Sequence, residues 1–169
     1  MAADLVSPQD SPPVQDKRAE RRGPTEAAGV DLSPVSHHLG FLVRLVQQRI
    51  FDEFHRRFGA EGLTPARYSV LAVLAANPDA RQVAVANALQ IKPSNMAVLI
   101  GALEADGLVE RRTDAENRRA NMLRLTARGA ALHATVAREI EEMDRGFAAH
   151  LAPQERAALL AALGRFLQP

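Results

Sequence analysis

The sequence predicts a mainly α-helical chain with one small β-hairpin. Three observations carry that prediction. Apolar residues recur at helical spacing over most of residues 35–167. Alanine, the best helix former, is abundant in the same stretch. One place, residues 108–125, reads instead as two short strands around the polar loop TDAENRRA.

Composition bounds what such a chain can be. Its 169 residues suffice for one ordinary domain with a real core. There is no cysteine, which excludes disulfides and thiol-based redox sensing and suits a reducing cytoplasm. No apolar run approaches the ~18–20 residues that span a membrane. Early acidic and proline residues argue against a signal peptide. The net charge is only +1, so any nucleic-acid affinity must be local. It is local: Arg111, Arg112, Arg118, Arg119, Arg124 and Arg128 cluster around the hairpin.

Residues 1–32 are proline-rich and charged with little to bury, and read as a disordered tail. Lys17, Arg18, Arg21 and Arg22 there either brush DNA phosphates or are solvated beside matching acids. Ser33-Pro34 is the expected start of a long helix from Val35 to Phe58. Leu39, Leu42, Val43, Val46, Ile50, Phe54 and Phe58 form one stripe, while Phe41, Leu45 and Phe51 fall largely elsewhere on the wheel. A helix apolar on more than one side needs more than one partner. Residues 59–63 break it. Thr64 is a good N-cap with Pro65 after it, opening a second helix to Ala76. Asn77-Pro78-Asp79 ends that helix.

Gln82 to Leu89 is a short amphipathic helix with Val83, Val85 and Leu89 as its apolar positions. A tight turn, Gln90-Ile91-Lys92, leads to Pro93, which suits the first position of a helix. Met96, Leu99, Ile100 and Leu103 are that helix's inward stripe, and Gly107 is its C-terminal glycine. The strands Leu108–Arg112 and Asn121–Leu125 follow, with Met122 and one of Leu123 or Leu125 expected on the packed side. Ala127 to about His150 is a long helix striped by Leu132, Val136, Ile140, Met143 and Phe147. Pro153 opens a last helix with Leu159, Leu160, Leu163 and Phe166.

Two short helices across a tight turn, then a basic hairpin, make a winged helix-turn-helix. In that arrangement the second helix enters the major groove and its N-terminal residues reach base edges. Ser94 and Asn95 carry hydroxyl and amide groups that pair with bases, and Asn pairs with adenine bidentately. Ala97 and Val98 can touch a thymine methyl, and Lys92 stands beside them. Taken alone, Ser94 and Asn95 are equally ordinary first-turn polar residues. The hairpin shifts the balance. Arg118 and Arg119 near its tip suit a narrow, electronegative minor groove, with Arg111 and Arg112 on the first strand. The bland reading is a charge-balanced solvated hairpin, diluted by Asp114 and Glu116.

Residues 35–167 resemble the MarR family of bacterial transcriptional regulators. The resemblance rests on Leu89 and Ile91 in the turn, on Leu103, Glu104, Gly107, Leu108, Val109 and Arg111, and on Leu125-Thr126 closing the wing. The family's wing carries D-x-R followed by x5-LT. Here Asn117 takes the Asp position and Arg119 the Arg position. The resemblance implies that Arg119 enters the minor groove and that residue 117 orients the wing. Asn117 can hydrogen-bond for that purpose but cannot form an ion pair. It implies a dimerisation helix in residues 33–63, a DNA-binding region in 64–126 and dimerisation helices in 127–169. A two-fold pair would read a palindrome with half-sites ~34–36 Å apart.

The resemblance also implies a small-molecule site between the dimerisation helices and the DNA-binding region. Its candidate lining is His37, His38, Phe41, Arg44, Leu45, Arg67 and Tyr68, with Arg44 or Arg67 pairing a carboxylate or phosphate. An aromatic acid or its coenzyme A thioester is the favoured ligand by analogy. The plain alternative makes His37 and His38 partly exposed, Arg44 a surface cap and Phe41 core.

No G-x-S-x-G, phosphate-binding glycine loop or H-E-x-x-H is present, so no enzyme and no cofactor are expected. His37, His38, His55, His133 and His150 are not spaced as a metal motif. The expectation is a cytoplasmic, homodimeric, sequence-specific DNA-binding regulator, most simply a repressor released by a small ligand. A winged-helix protein-interaction module and a zinc-responsive regulator stay open as alternatives.

Overall fold

The computed structural model describes residues 26–27, 29–113 and 121–168. The chain divides into two compact units, Met1–Gln48 and Arg49–Pro169.

In the first unit, Glu26–Ala27 (β1) and Val30–Asp31 (β2) form an antiparallel hairpin with Gly29 left-handed in its turn. Both strands lie inside the segment expected to be a disordered tail. The first long helix, α1, spans Leu39–Phe58, starting later than Ser33-Pro34 suggested. The reason is local. The Ser33 amide and hydroxyl both donate to the Asp31 carboxylate, at 2.8 and 2.9 Å, so Ser33 does not cap a helix. The amides of Val35 and Ser36 turn back to the Leu32 carbonyl instead.

The second unit takes the end of α1, where Phe54 and Phe58 are buried with ring centroids 4.8 Å apart. A 3-10 turn at Gly59–Glu61 and a left-handed Gly62 lead to α2, Pro65–Ala76. Thr64 caps α2 by accepting from the Arg67 amide at 3.2 Å, as its position ahead of Pro65 predicts. Next come β3 (Ala80–Arg81), α3 (Gln82–Ala88), α4 (Pro93–Ala105), β4 (Val109–Thr113), β5 (Asn121–Leu125), α5 (Ala127–Phe147) and α6 (Pro153–Phe166). The strands form an antiparallel sheet in the order β3-β5-β4. The register pairs Val109 with Leu125 and Arg111 with Leu123. The two-residue strand β3 has no periodicity to betray it in the sequence.

The core joins all these elements except α6. Val70, Leu71 and Leu74 of α2 meet Val85 and Ala86 of α3, Met96, Ile100 and Leu103 of α4, Leu123 of β5 and Val136 of α5. Two expectations need correction. Val83 is 59% exposed, because positions 82, 85, 86 and 89 share the inward face of α3 and 83 does not. In the hairpin the packed face carries Val109, Leu123 and Leu125; Met122 lies on the opposite face, beside Arg112 and Arg81. In α6, Leu159, Leu160, Leu163 and Phe166 are exposed, Phe166 to 69%.

One contact fixes where the wing leaves the helices. Thr126 caps α5 by accepting from the Gly129 amide at 3.0 Å, and its hydroxyl donates to the Gly107 carbonyl at 2.6 Å. The Thr126 amide reaches the Leu108 carbonyl at 3.1 Å. A Cβ on Gly129 would lie 1.9 Å from that same carbonyl oxygen, so the approach admits only glycine.

Candidate nucleic-acid interface

The turn between α3 and α4 closes through backbone bonds. The Leu89 amide reaches Val85 O at 3.0 Å, Gln90 reaches Asn87 O at 3.1 Å and Ile91 reaches Ala86 O at 2.9 Å. Gln90 is left-handed (φ 54), and its side-chain amide also donates to Asn87 O at 2.9 Å. Leu89 and Ile91 pack on the core on either side of Gln90. The two apolar residues of the turn therefore set how α4 leaves α3.

α4 buries Met96, Ile100 and Leu103 and half-buries Leu99. That leaves Lys92, Ser94, Asn95, Ala97 and Val98 all exposed at its N-terminal end. Val98 is 74% exposed, so it serves no packing role within the chain. The predicted base-reading residues thus share one open face of α4. No hydrogen bond engages the Ser94 or Asn95 side chain among the described residues. The helix N-terminus adds its own partial positive charge, which favours phosphate nearby.

Arg111 and Arg112 on β4 are exposed, yet each faces an acid. Arg111 Nε lies 3.0 Å from Glu104 of α4, and Arg112 Nε lies 3.2 Å from Glu110. The first pair links β4, the wing's first strand, to α4. A second link lies at the wing's base, where Arg124 of β5 forks onto Asp79, with Nε donating to Oδ1 at 3.0 Å. Asp79 keeps the Arg124 guanidinium even more firmly charged than usual. Asn77-Pro78-Asp79 reads in sequence only as a helix end; no local signal announces that Asp79 (φ 60) anchors the hairpin. Asn117, Arg118 and Arg119 lie outside the described residues.

The candidate ligand residues fall in both units. In the first, His37 and His38 are exposed and meet edge to face at 4.4 Å. Arg44 stacks over the half-buried Phe41, with its guanidinium carbon 5.4 Å from the ring centre, and Leu45 is half-buried. In the second, Arg67 donates to the Gly62 carbonyl at 2.9 Å and pairs with Asp106, which follows α4. Its Nε is buried with no hydrogen-bond partner among the described residues. Tyr68 stacks on His133 of α5, ring centres 5.9 Å apart and 17° from parallel. Burial pushes the Tyr68 phenol up, and Glu141 adds to that rise. His133 also lines a cavity of about 470 Å³ with Leu74, Pro78, Arg124 and Leu125. The sequence points to neither His133 nor Arg124 as lining, because α5 brings the former from far along the chain. Among the described residues no three metal-binding side chains converge. No described helix is long and apolar enough to cross a membrane.

A sequence model of the MarR family matches residues 61–120. The chain is 33% identical over 144 residues to a protein of Thauera aromatica described as a transcriptional regulatory protein for the hcr operon. That alignment covers 82% of this chain and 87% of the relative. Its structure is similar to the transcriptional repressor CouR bound to a 23-mer DNA duplex, with a TM-score of 0.78 and 31% identity over 82% of this chain and 99% of that one. It is also similar to BpsR of Bordetella bronchiseptica, whose DNA binding is regulated by 6-hydroxynicotinic acid, with a TM-score of 0.76 and 27% identity over 80% and 96% of the two chains. Helix pair, turn and hairpin in this order, with these relatives, place the chain in the MarR family of winged helix-turn-helix transcriptional regulators, which bind DNA and are not enzymes.

Proposed function

We propose that this chain is a homodimeric repressor that reads a palindromic operator and releases it when a small aromatic acid binds. The observation that carries the reading is the open face at the start of α4. Lys92, Ser94, Asn95, Ala97 and Val98 are exposed together on a helix whose other side is fully committed to the core. Asn95 and Ser94 read base edges, Ala97 and Val98 meet a thymine methyl, and Lys92 contacts phosphate. Arg118 and Arg119 probe the adjacent minor groove, with Asn117 orienting them. Arg111 and Arg112 reach phosphates only by sharing themselves with Glu104 and Glu110.

The second copy is supported by apolar surface left uncovered. Leu39, Val43 and Val46 of α1 are exposed, as are Leu159, Leu160, Leu163 and Phe166 of α6. Residues 33–63 and 127–169 serve the dimer and residues 64–126 the DNA. The regulator works in the bacterial cytoplasm, where its operator is.

An aromatic acid or its coenzyme A thioester is the proposed ligand, because Arg44 in the first unit and Arg67 in the second each carry a guanidinium that can pair a carboxylate or phosphate. The aromatic acid that regulates the BpsR relative supports the same class. The ligand releases DNA by preferring a conformation whose recognition helices are wrongly spaced. The test is fluorescence anisotropy of labelled DNA from upstream of the chain's own gene. Aromatic carboxylates, their coenzyme A thioesters and zinc are titrated into the complex. Release by one aromatic acid or thioester is the expected result. Binding that none of the carboxylates or thioesters reverses overturns the ligand assignment, and release by zinc alone favours a metal-responsive regulator. Absence of DNA binding at low salt favours a protein-interaction module.

A further inference from the structure

Gly101 lies in the middle of α4, on its exposed face, three residues after Val98 and four before Ala105. A glycine inside a helix is destabilising relative to alanine, because it loses more backbone freedom on folding. Such a residue calls for a compensating reason, and the fold supplies none. The backbone there is not left-handed, and an added Cβ would meet nothing within 4 Å. Gly129 is the contrast: its added Cβ would strike the Leu108 carbonyl, so internal packing explains it. Gly107 is explained as well, by its positive φ at the end of α4. Gly40, Gly146 and Gly164 also meet nothing, but they lie on α1, α5 and α6, outside the helix pair 82–88 and 93–105.

Position decides what Gly101 is for. Ser94, Val98, Gly101 and Ala105 follow one another at helical spacing along the face that begins with the proposed base-reading residues. Nothing on this face past Val98 is larger than alanine. A helix with its first turns in the major groove brings its later turns toward the sugar–phosphate wall. Glycine is the residue that permits close approach of another backbone.

We infer that Gly101 is a positioning residue for DNA: its missing side chain lets α4 seat fully in the groove, so that Ser94 and Asn95 reach the bases. The inference rests on the DNA-binding reading above. The test compares the full-length wild type with Gly101→Ala and Gly101→Leu by thermal melting and by operator affinity across a salt series. The alanine variant should melt ~2–4 °C higher, as removal of a helix glycine from a chain of this size does. Its affinity should nevertheless fall about 10- to 100-fold, the cost of overfilling a close contact. The leucine variant should bind more weakly still. The slope of log affinity against log salt should not change, because no cation is removed. Wild-type affinity in both variants overturns the inference and leaves the DNA reading intact. A loss of affinity that accompanies a lower melting temperature also overturns it, since glycine would then be serving the fold. A wild type that binds no duplex overturns both readings.

Discussion

Thr126 and Gly129 show how much a short motif can hide. In sequence, Leu125-Thr126 is only the end of a wing, and Gly107-Leu108 only the end of a helix. In the structure the two meet: Thr126 caps α5, holds the Gly107 carbonyl and sits beside a glycine pressed onto Leu108 O. Gly129→Ala should therefore cost ~1–3 kcal/mol of stability, because a methyl 1.9 Å from a carbonyl oxygen forces backbone to move. Chemical denaturation measures it, and an unchanged midpoint would show that the joint is loose. The open side of α4, where the proposed base-reading residues lie, was legible at this scale, since Met96, Ile100 and Leu103 define its buried side and leave Ser94, Asn95 and Val98 outward. Asn95→Ala should relax base preference at one operator position by ~1–3 kcal/mol, as loss of a bidentate contact does. A selected consensus identical to the wild type's would contradict the role given to Asn95. The ion pairs Arg124–Asp79 and Arg111–Glu104 were not legible, because such partners are neighbours only after the sheet and helices assemble.

At the scale of elements, periodicity located each described α-helix, and capping chemistry placed the start of α2 at Pro65. It failed where a polar side chain had a better local partner, as Ser33 does in Asp31, and where a strand is too short to alternate, as β3 is. It also could not say which apolar stripes stay uncovered; the stripes of α5 and α6 look alike in sequence, yet α5 buries Val136 and Met143 and α6 buries nothing. The C-terminal end of α1 carries a pH-sensitive cluster. Arg56, and then Arg57, donate to Glu53 and hold its carboxyl well below its ordinary value of 4.5, at about 2. A depressed folded-state value means stability that is present above the unfolded value and lost as protons bind the folded form. Glu53→Gln should thus melt below the wild type at neutral pH, and the gap should close as pH falls from 4.5 toward 2. Salt should narrow the gap too, since the pairs are solvent-accessible. A gap that persists at pH 2 would place the effect of Glu53 in packing. In the wing, Arg119→Ala should weaken binding chiefly to sites with A·T-rich flanks, where the minor groove is narrow. Unchanged affinity for such sites would remove Arg119 from the interface.

For the molecule as a whole, the balance is between a committed core and an uncommitted apolar exterior. The helix-turn-helix, sheet and α5 bury their stripes, while α6 and the first half of α1 do not. The proposed second copy would cover both exposures and supply the second recognition helix that a palindromic operator needs. Leu163→Asp should make the chain monomeric without reducing its helix content, because Leu163 is exposed within a single chain. Sedimentation and circular dichroism together check this, and a variant that stays dimeric would move the interface away from α6. The most direct test of the whole account is anisotropy of the upstream duplex titrated with the full-length chain at rising salt. The account predicts saturation at two chains per duplex, with affinity falling roughly a thousandfold or more between about 50 and 200 mM salt, as several phosphate contacts require. A chain that leaves every duplex unbound at the lowest salt would contradict it.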